Sequence, residues 1–171
     1  MTDAPHRWSL FETKFSTFAA AIDGQGRLVR FWLHADGKAG PGGIRDDAAL
    51  APVRTQVEEY CAGRRRDFAL DIHAEEGSAF ERGVWQAMCE IPFGETVSYG
   101  FIAKKLGDPG AARAVGVACN RNPIPLVVPC HRVVGADGAL VGFGGGLPLK
   151  RKLLDFESVI AGRPRDLFAS A

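Results

Sequence analysis

The stretch VPCHRVVG sets Pro129, Cys130 and His131 side by side inside an apolar run. A lone cysteine there would be an ordinary buried residue. A cysteine joined to a histidine is a nucleophile joined to a proton acceptor. Neighbours in sequence do not face each other on a helix and point to opposite faces of a strand. Proton transfer from Cys130 to His131 therefore calls for a local bend or a bridging water. Proline suits the first position of a helix, and a helix or turn starting at Pro129 would set Cys130 among free backbone N–H groups. Such a site favours thiolate.

A histidine used this way also wants a carboxylate to orient it. Pro148 can open a helix reaching about Ala161, with Leu149, Leu153, Phe156 and Ile160 on one face. Glu157 lies on the edge of that face. Its neighbours three and four places away are Leu153, Leu154, Ile160 and Ala161, whereas Asp155 has Arg151 and Lys152. Glu157 is either a solvated edge residue or the holder of a tertiary partner.

The elements that must position these groups follow from pattern. Phe15 to Ile22 and Leu28 to Leu33 read as a β-hairpin about Asp23-Gly24-Gln25-Gly26. Residues 36–47 read as a surface loop, 48–62 as an amphipathic helix, and Phe68, Leu70 and Ile72 as a strand. Ser78 with Glu81 forms a capping box for a helix bearing Phe80, Val84, Ala87, Met88 and Ile91, ended by Pro92-Phe93-Gly94. Ser98 caps a helix through Leu106. Gly107-Asp108-Pro109-Gly110 breaks the chain, and Ala111 to Cys119 forms another helix. This is a helix-turn-helix placed near DNA or an ordinary helical hairpin packed in a core. Gly116 in the second helix suggests close approach of another backbone. Asn122-Pro123-Ile124-Pro125 forces an extended stretch, and Leu126-Val127-Val128 reads as a buried strand. Gly142-Phe143-Gly144-Gly145-Gly146 is a glycine-rich loop with one ring on which a base could stack.

Composition excludes several classes. No apolar run approaches the ~18 residues needed to span a bilayer, and no charged segment with an apolar core opens the chain. The expectation is a cytoplasmic protein. Cys61, Cys89, Cys119 and Cys130 form no CxxC pair, and His6, His34 and His73 have no cysteines at metal-ligand spacing. No metal or other cofactor is expected. Residues 1–97 hold 11 basic and 15 acidic side chains, and residues 98–171 hold 10 and 5. The basic half is thus the one that could meet nucleic acid.

Asn122-Pro-Ile-Pro, Pro129-Cys130-His131-Arg132-Val133, Gly142-Phe143-Gly144-Gly145-Gly146-Leu147 and Glu157 together resemble the O6-alkylguanine-DNA alkyltransferases, over roughly residues 78–158. The resemblance implies an α/β N-terminal ribonuclease-H-like domain over residues 1–76. It implies a mainly α C-terminal domain with a winged helix-turn-helix over residues 77–171. The implied activity is direct-reversal DNA repair: one irreversible alkyl transfer per molecule, from O6-alkylguanine and in some members O4-alkylthymine. Cys130 would be the acceptor, His131 the water-linked base, Glu157 its orienting carboxylate and Asn122 the hinge. Arg113 would fill the base stack, Tyr99 would crowd the 3′ phosphate, and Ala112 and Arg121 would lie against DNA. Val133, Phe143, Gly144, Gly145 and Pro125 would line the substrate pocket. The partner would be double-stranded DNA and the protein a monomer, with cooperative binding along DNA left open. Phe143 departs from a tyrosine common in the family, which removes a hydroxyl donor to the guanine. A cysteine hydrolase, a lesion-binding module without chemistry, and a metal site at Cys130 and His131 are the competing readings.

Overall fold

The computed structural model describes residues 6–36 and 42–163. The chain divides into two compact units, Met1–Glu76 and Gly77–Ala171.

The first unit carries strands β1 (Arg7–Glu12), β2 (Thr17–Ile22), β3 (Leu28–Trp32) and β4 (Ile44–Arg45) in the order β3-β2-β1-β4. The β1–β2 and β2–β3 pairs are antiparallel, and β4 joins β1 in parallel. The β2–β3 turn is fixed by Asp23, whose Oδ1 accepts from the amides of Gln25 and Arg27 at 2.9 Å each. Helix α1 (Ala51–Cys61) buries Val53, Val57, Tyr60 and Cys61, and Tyr60 stacks on Phe68 with ring centres 5.5 Å apart.

Three details differ from the sequence reading. Strand β1 was not expected, because one of its two buried positions is Ser9, which breaks the apolar alternation. Ser9 is fully buried, donates to Asp47 Oδ1 and accepts from Arg54 Nη2. The strand expected at Phe68–Ile72 reduces to a single bridge, in which Leu28 exchanges bonds of 2.8 Å with Asp71 and His73. Within the expected loop 36–47, Ile44 and Arg45 form β4, and residues 37–41 lie outside the described residues.

The second unit holds α2 (Ala79–Cys89), β5 (Val97–Ser98), α3 (Tyr99–Lys105), α4 (Ala112–Asn120), a 3₁₀ turn (Cys130–Arg132), β6 (Val133–Val134) and α5 (Leu147–Ile160). Ser78 and Glu81 form the full capping box at α2, and Ser98 caps α3 through the Phe101 amide at 3.0 Å. Trp85 ties α2 to α4 by donating to the Ala118 carbonyl at 2.8 Å. Strands β5 and β6 pair in parallel, so the entry to α3 lies beside the residues that follow the Cys-His pair.

The chain between α4 and Cys130 is a tight turn where a strand was expected. Leu126 is buried with φ 74°. A left-handed conformation at a leucine costs about 1–3 kcal/mol. It is held by Val128 N donating to Ile124 O at 2.9 Å and by burial of both Ile124 and Leu126.

Helix α5 also differs. Its buried side chains are Leu149, Lys150, Leu153, Leu154, Glu157 and Ser158. Phe156 and Ile160 are only half-buried. The buried stripe is rotated from the apolar one because a lysine and a glutamate belong to it, and Glu157 sits within it, not at its edge.

Candidate active site

The loop before the cysteine is built on Asn122. Its Nδ2 donates to Val128 O at 2.8 Å and its Oδ1 accepts from Ile124 N at 3.0 Å. Both arms of one amide thus brace the segment that delivers Cys130. The 3₁₀ turn then supplies the local bend, with Cys130 N bonded to Val128 O at 2.8 Å and Arg132 N to Pro129 O at 3.0 Å.

Cys130 is buried, and burial pushes its thiol up. The Asn122 side chain, Lys150 and the amides of Cys130 and His131 pull the other way, and burial wins. The expectation of a ready thiolate at a helix start is therefore corrected. The turn has three residues, too short for the aligned dipoles of a helix, and the resting group is a thiol that needs a base.

His131 is fully buried. Its Nε2 lies 2.7 Å from Glu157 Oε1. Burial pushes the imidazole below its usual value; Glu157 opposes this, while Arg132 and Lys150 reinforce it. Glu157, itself fully buried, would be pushed up by burial, but His131 and Arg132 hold it well below the usual carboxylate range. An ionised carboxylate only accepts, so Nε2 carries the ring hydrogen and Nδ1 is the lone pair. Nδ1 is the one buried side-chain nitrogen or oxygen among the described residues without a hydrogen-bond partner. A neutral imidazole with an open Nδ1 is a base in waiting.

Three groups here were missed by sequence reasoning. Arg132 grips both oxygens of Glu157. Gly94 N donates to Glu157 Oε2 at 3.3 Å. Only glycine fits there: φ is 82°, and a Cβ would stand 2.6 Å from Ala161 Cβ. Lys150 is fully buried, with Nζ 3.1 Å from Val141 O and 5.9 Å from the ring centres of both Tyr99 and Phe143. The spacing 150, 153, 154, 157 was the available signal, since it puts the lysine on the helix face of Glu157.

The remaining predicted residues sort by place. Tyr99 donates to Val141 O at 2.9 Å, so Tyr99 and Lys150 pin one carbonyl of the glycine-rich loop. A Cβ on Gly116 would have the Tyr99 ring as its nearest contact at 3.9 Å, so the close neighbour is a ring and not another backbone. Arg113 is exposed and Ala112 half-buried on α4. Arg121 is exposed but paired with Glu81 Oε1 at 2.9 Å. Val133 is fully buried in β6, Phe143 and Pro125 are half-buried, Gly144 is exposed and Gly145 buried.

A buried thiol, a carboxylate-held neutral imidazole and an adjoining helix pair are the parts a thiol-dependent group-transfer protein would use. Comparison with known proteins narrows this. The family described as "6-O-methylguanine DNA methyltransferase, DNA binding domain" matches residues 79–159. The methylated-DNA–protein-cysteine methyltransferase of Mycobacterium leprae is 50% identical over 116 residues, 68% of this chain and 70% of that protein. The Methanosarcina acetivorans protein of the same name is 47% identical over 114 residues, 67% and 72% of the two chains. The crystal structure of Mycobacterium tuberculosis O6-methylguanine methyltransferase superposes with TM-score 0.80 at 36% identity over 95% of each chain. The structure of Mycobacterium tuberculosis OGT in complex with DNA gives 0.82 at 37% over 90% and 94%. The chain belongs to the methylated-DNA–protein-cysteine methyltransferase family.

The buried pair makes stability depend on pH. An unfolded histidine protonates near 6.5, whereas folded His131 resists the proton. The unfolded state therefore binds more protons as pH falls below that value, and stability falls with it. Glu157 adds a second loss below about 4.5, where the unfolded carboxyl protonates first. The urea midpoint should drop between pH 7.5 and 5, and less so in His131→Asn; a wild-type midpoint that stays flat over this range would contradict the assignment.

Proposed function

We propose that this protein repairs DNA by direct reversal, moving the alkyl group of an O6-alkylguanine irreversibly to the sulfur of Cys130. The observation that carries this reading is the enclosed thiol beside a neutral His131 whose Nδ1 is open. A water links that lone pair to the thiol. As His131 takes the proton, sulfur attacks the alkyl carbon, a carbon–sulfur bond forms and the carbon–O6 bond breaks. The guanine leaves with a carbonyl at O6 and regains a proton at N1, so the thiol's hydrogen ends on the base. The thioether is not hydrolysed, and each molecule acts once.

A base inside a duplex cannot reach a buried sulfur, so the lesion is flipped out. Helices α3 and α4, with β5–β6 beside them, act as a winged helix-turn-helix laid in the minor groove. The exposed Arg113 fills the vacated stack, while Ala112 lets α4 approach closely. Arg121 reaches phosphate after leaving Glu81. The Tyr99 ring crowds the 3′ phosphate, and Asn122 is the hinge between α4 and the active turn. The carbonyls of Cys130 and Val133 read the guanine amino group, and Phe143, Gly144, Gly145 and Pro125 enclose the base and its alkyl chain. The basic balance of residues 98–171 supports DNA as the partner. The same displacement extends to O4-alkylthymine. The first unit is ribonuclease-H-like, and the protein works in the cytoplasm as a monomer without cofactor or metal.

Titration against duplex DNA bearing O6-methylguanine tests this directly. Restored guanine should plateau at one per protein, and Cys130→Ala should bind the lesion duplex without restoring it. Continued turnover would indicate a hydrolase, and wild-type binding without restoration a lesion-binding module. Phe143→Tyr returns a hydroxyl near the leaving base. One hydrogen bond formed there would speed single-turnover transfer by up to about tenfold; equal rates would show that the missing donor is not felt.

A further inference from the structure

Arg132 follows the Cys-His pair and is 5% exposed. An arginine this deep must be paired. Its Nε donates to Glu157 Oε2 and its Nη2 to Glu157 Oε1, each at 2.9 Å. Nη1 donates to Ile91 O at 2.8 Å, and the guanidinium lies 5.6 Å from the centre of the Phe93 ring. The grip on the carboxylate is bidentate, the geometry that suits arginine and not lysine. Oε1, the oxygen held by Nη2, is also the one that meets His131 Nε2. One carboxylate is thus divided between a permanent cation and an imidazole.

We propose that Arg132 is a positioning residue of the transfer site: it fixes Glu157 against His131 and offsets its charge, so that His131 Nδ1 remains a lone pair. The proposal rests on the alkyl-transfer reading. A bare carboxylate 2.7 Å from an imidazole in a dry interior would draw a proton onto the ring. A doubly protonated ring has no lone pair and cannot accept the thiol's hydrogen. The groups that face His131 are Glu157 and Lys150 from α5 and Arg132 and Cys130 from its own turn. Helix α2, which also packs on this turn, brings Cys89 toward Arg132. Of these, only Glu157 favours the charged ring strongly, and Arg132 is the cation bonded to it.

The test is the single-turnover rate on an O6-methylguanine duplex as a function of pH, for the full chain, Arg132→Lys and Arg132→Met. In Arg132→Met the acid limb should move up by about one pH unit or more, with the rate at alkaline pH levelling off at that of Arg132→Lys, which lacks the same fork. Arg132→Lys keeps the charge but loses the fork, so its rate should fall at every pH while its limb stays in place. A uniform loss in Arg132→Met, or an equal displacement in Arg132→Lys, would overturn the proposal. Nitrogen NMR of His131 in wild type gives an answer even where Arg132→Met does not fold. A ring protonated at Nε2 alone at pH 7 and below the usual 6.5 supports the proposal; one protonated at Nδ1 at pH 7 contradicts it. Absence of transfer by wild type at all pH values would remove the alkyl-transfer reading, while the NMR titration, run on wild type and Arg132→Met, would still decide what Arg132 does to His131.

Discussion

The second unit is organised around one buried carboxylate. Glu157 accepts from His131, twice from Arg132 and from the Gly94 amide. Removing an ion from water costs several kcal/mol, and one left unpaired is strongly destabilising. Every neighbour of Glu157 is therefore constrained. Helix α5 must present it, the turn at Cys130 must bring two successive side chains to it, and the loop after α2 must come close enough for a glycine amide to reach. The network ties three distant segments of the chain at the turn that carries Cys130. It also settles a tautomer, because an acceptor-only partner leaves the imidazole hydrogen on Nε2.

This arrangement explains how a thiol can be both hidden and usable. Burial raises the energy of the thiolate more than the local amides, Asn122 and Lys150 lower it. Cys130 thereby rests as a thiol, and in the proposed reaction it would give up its proton to His131 only as an alkyl group arrives. Cys61, Cys89 and Cys119 are also pushed up by burial, but His131 belongs to the turn of Cys130. In the proposed reaction, selectivity among the four cysteines would come from the neighbouring base and not from a low resting pKa. Tyr99 and Lys150 add a second constraint by holding Val141 O between them, which fixes the loop that sets Phe143 beside Lys150.

Much of this was legible in the sequence, and the failures share a cause. Local signals were reliable: the Ser78–Glu81 box, the Ser98 cap and the Asp23 turn all depend on residues a few places apart. Cys130 and His131 stood out by their chemistry, whereas Glu157 was joined to them only by the family resemblance. What could not be read were polar side chains that occupy buried positions. Ser9 hid β1, Lys150 and Glu157 rotated the apparent face of α5, and Arg132 looked like a residue that merely follows a motif. Ser9, Glu157 and Arg132 are stabilised by partners far away in sequence, and of the four only Lys150 carried a local signal, its helical spacing from Glu157. Leu126 failed for the complementary reason. Three apolar residues in a row suggest a strand, yet burial and the Asn122 brace hold one of them in a left-handed turn.

The central claim is that Cys130, and none of the other three cysteines, receives an alkyl group from DNA. Intact mass followed by peptide mapping, after mixing the protein with a duplex bearing one O6-methylguanine, measures this directly. The account predicts one added methyl per molecule, located on Cys130. An unmodified protein, or a methyl on Cys61, Cys89 or Cys119 with Cys130 unmodified, would contradict it.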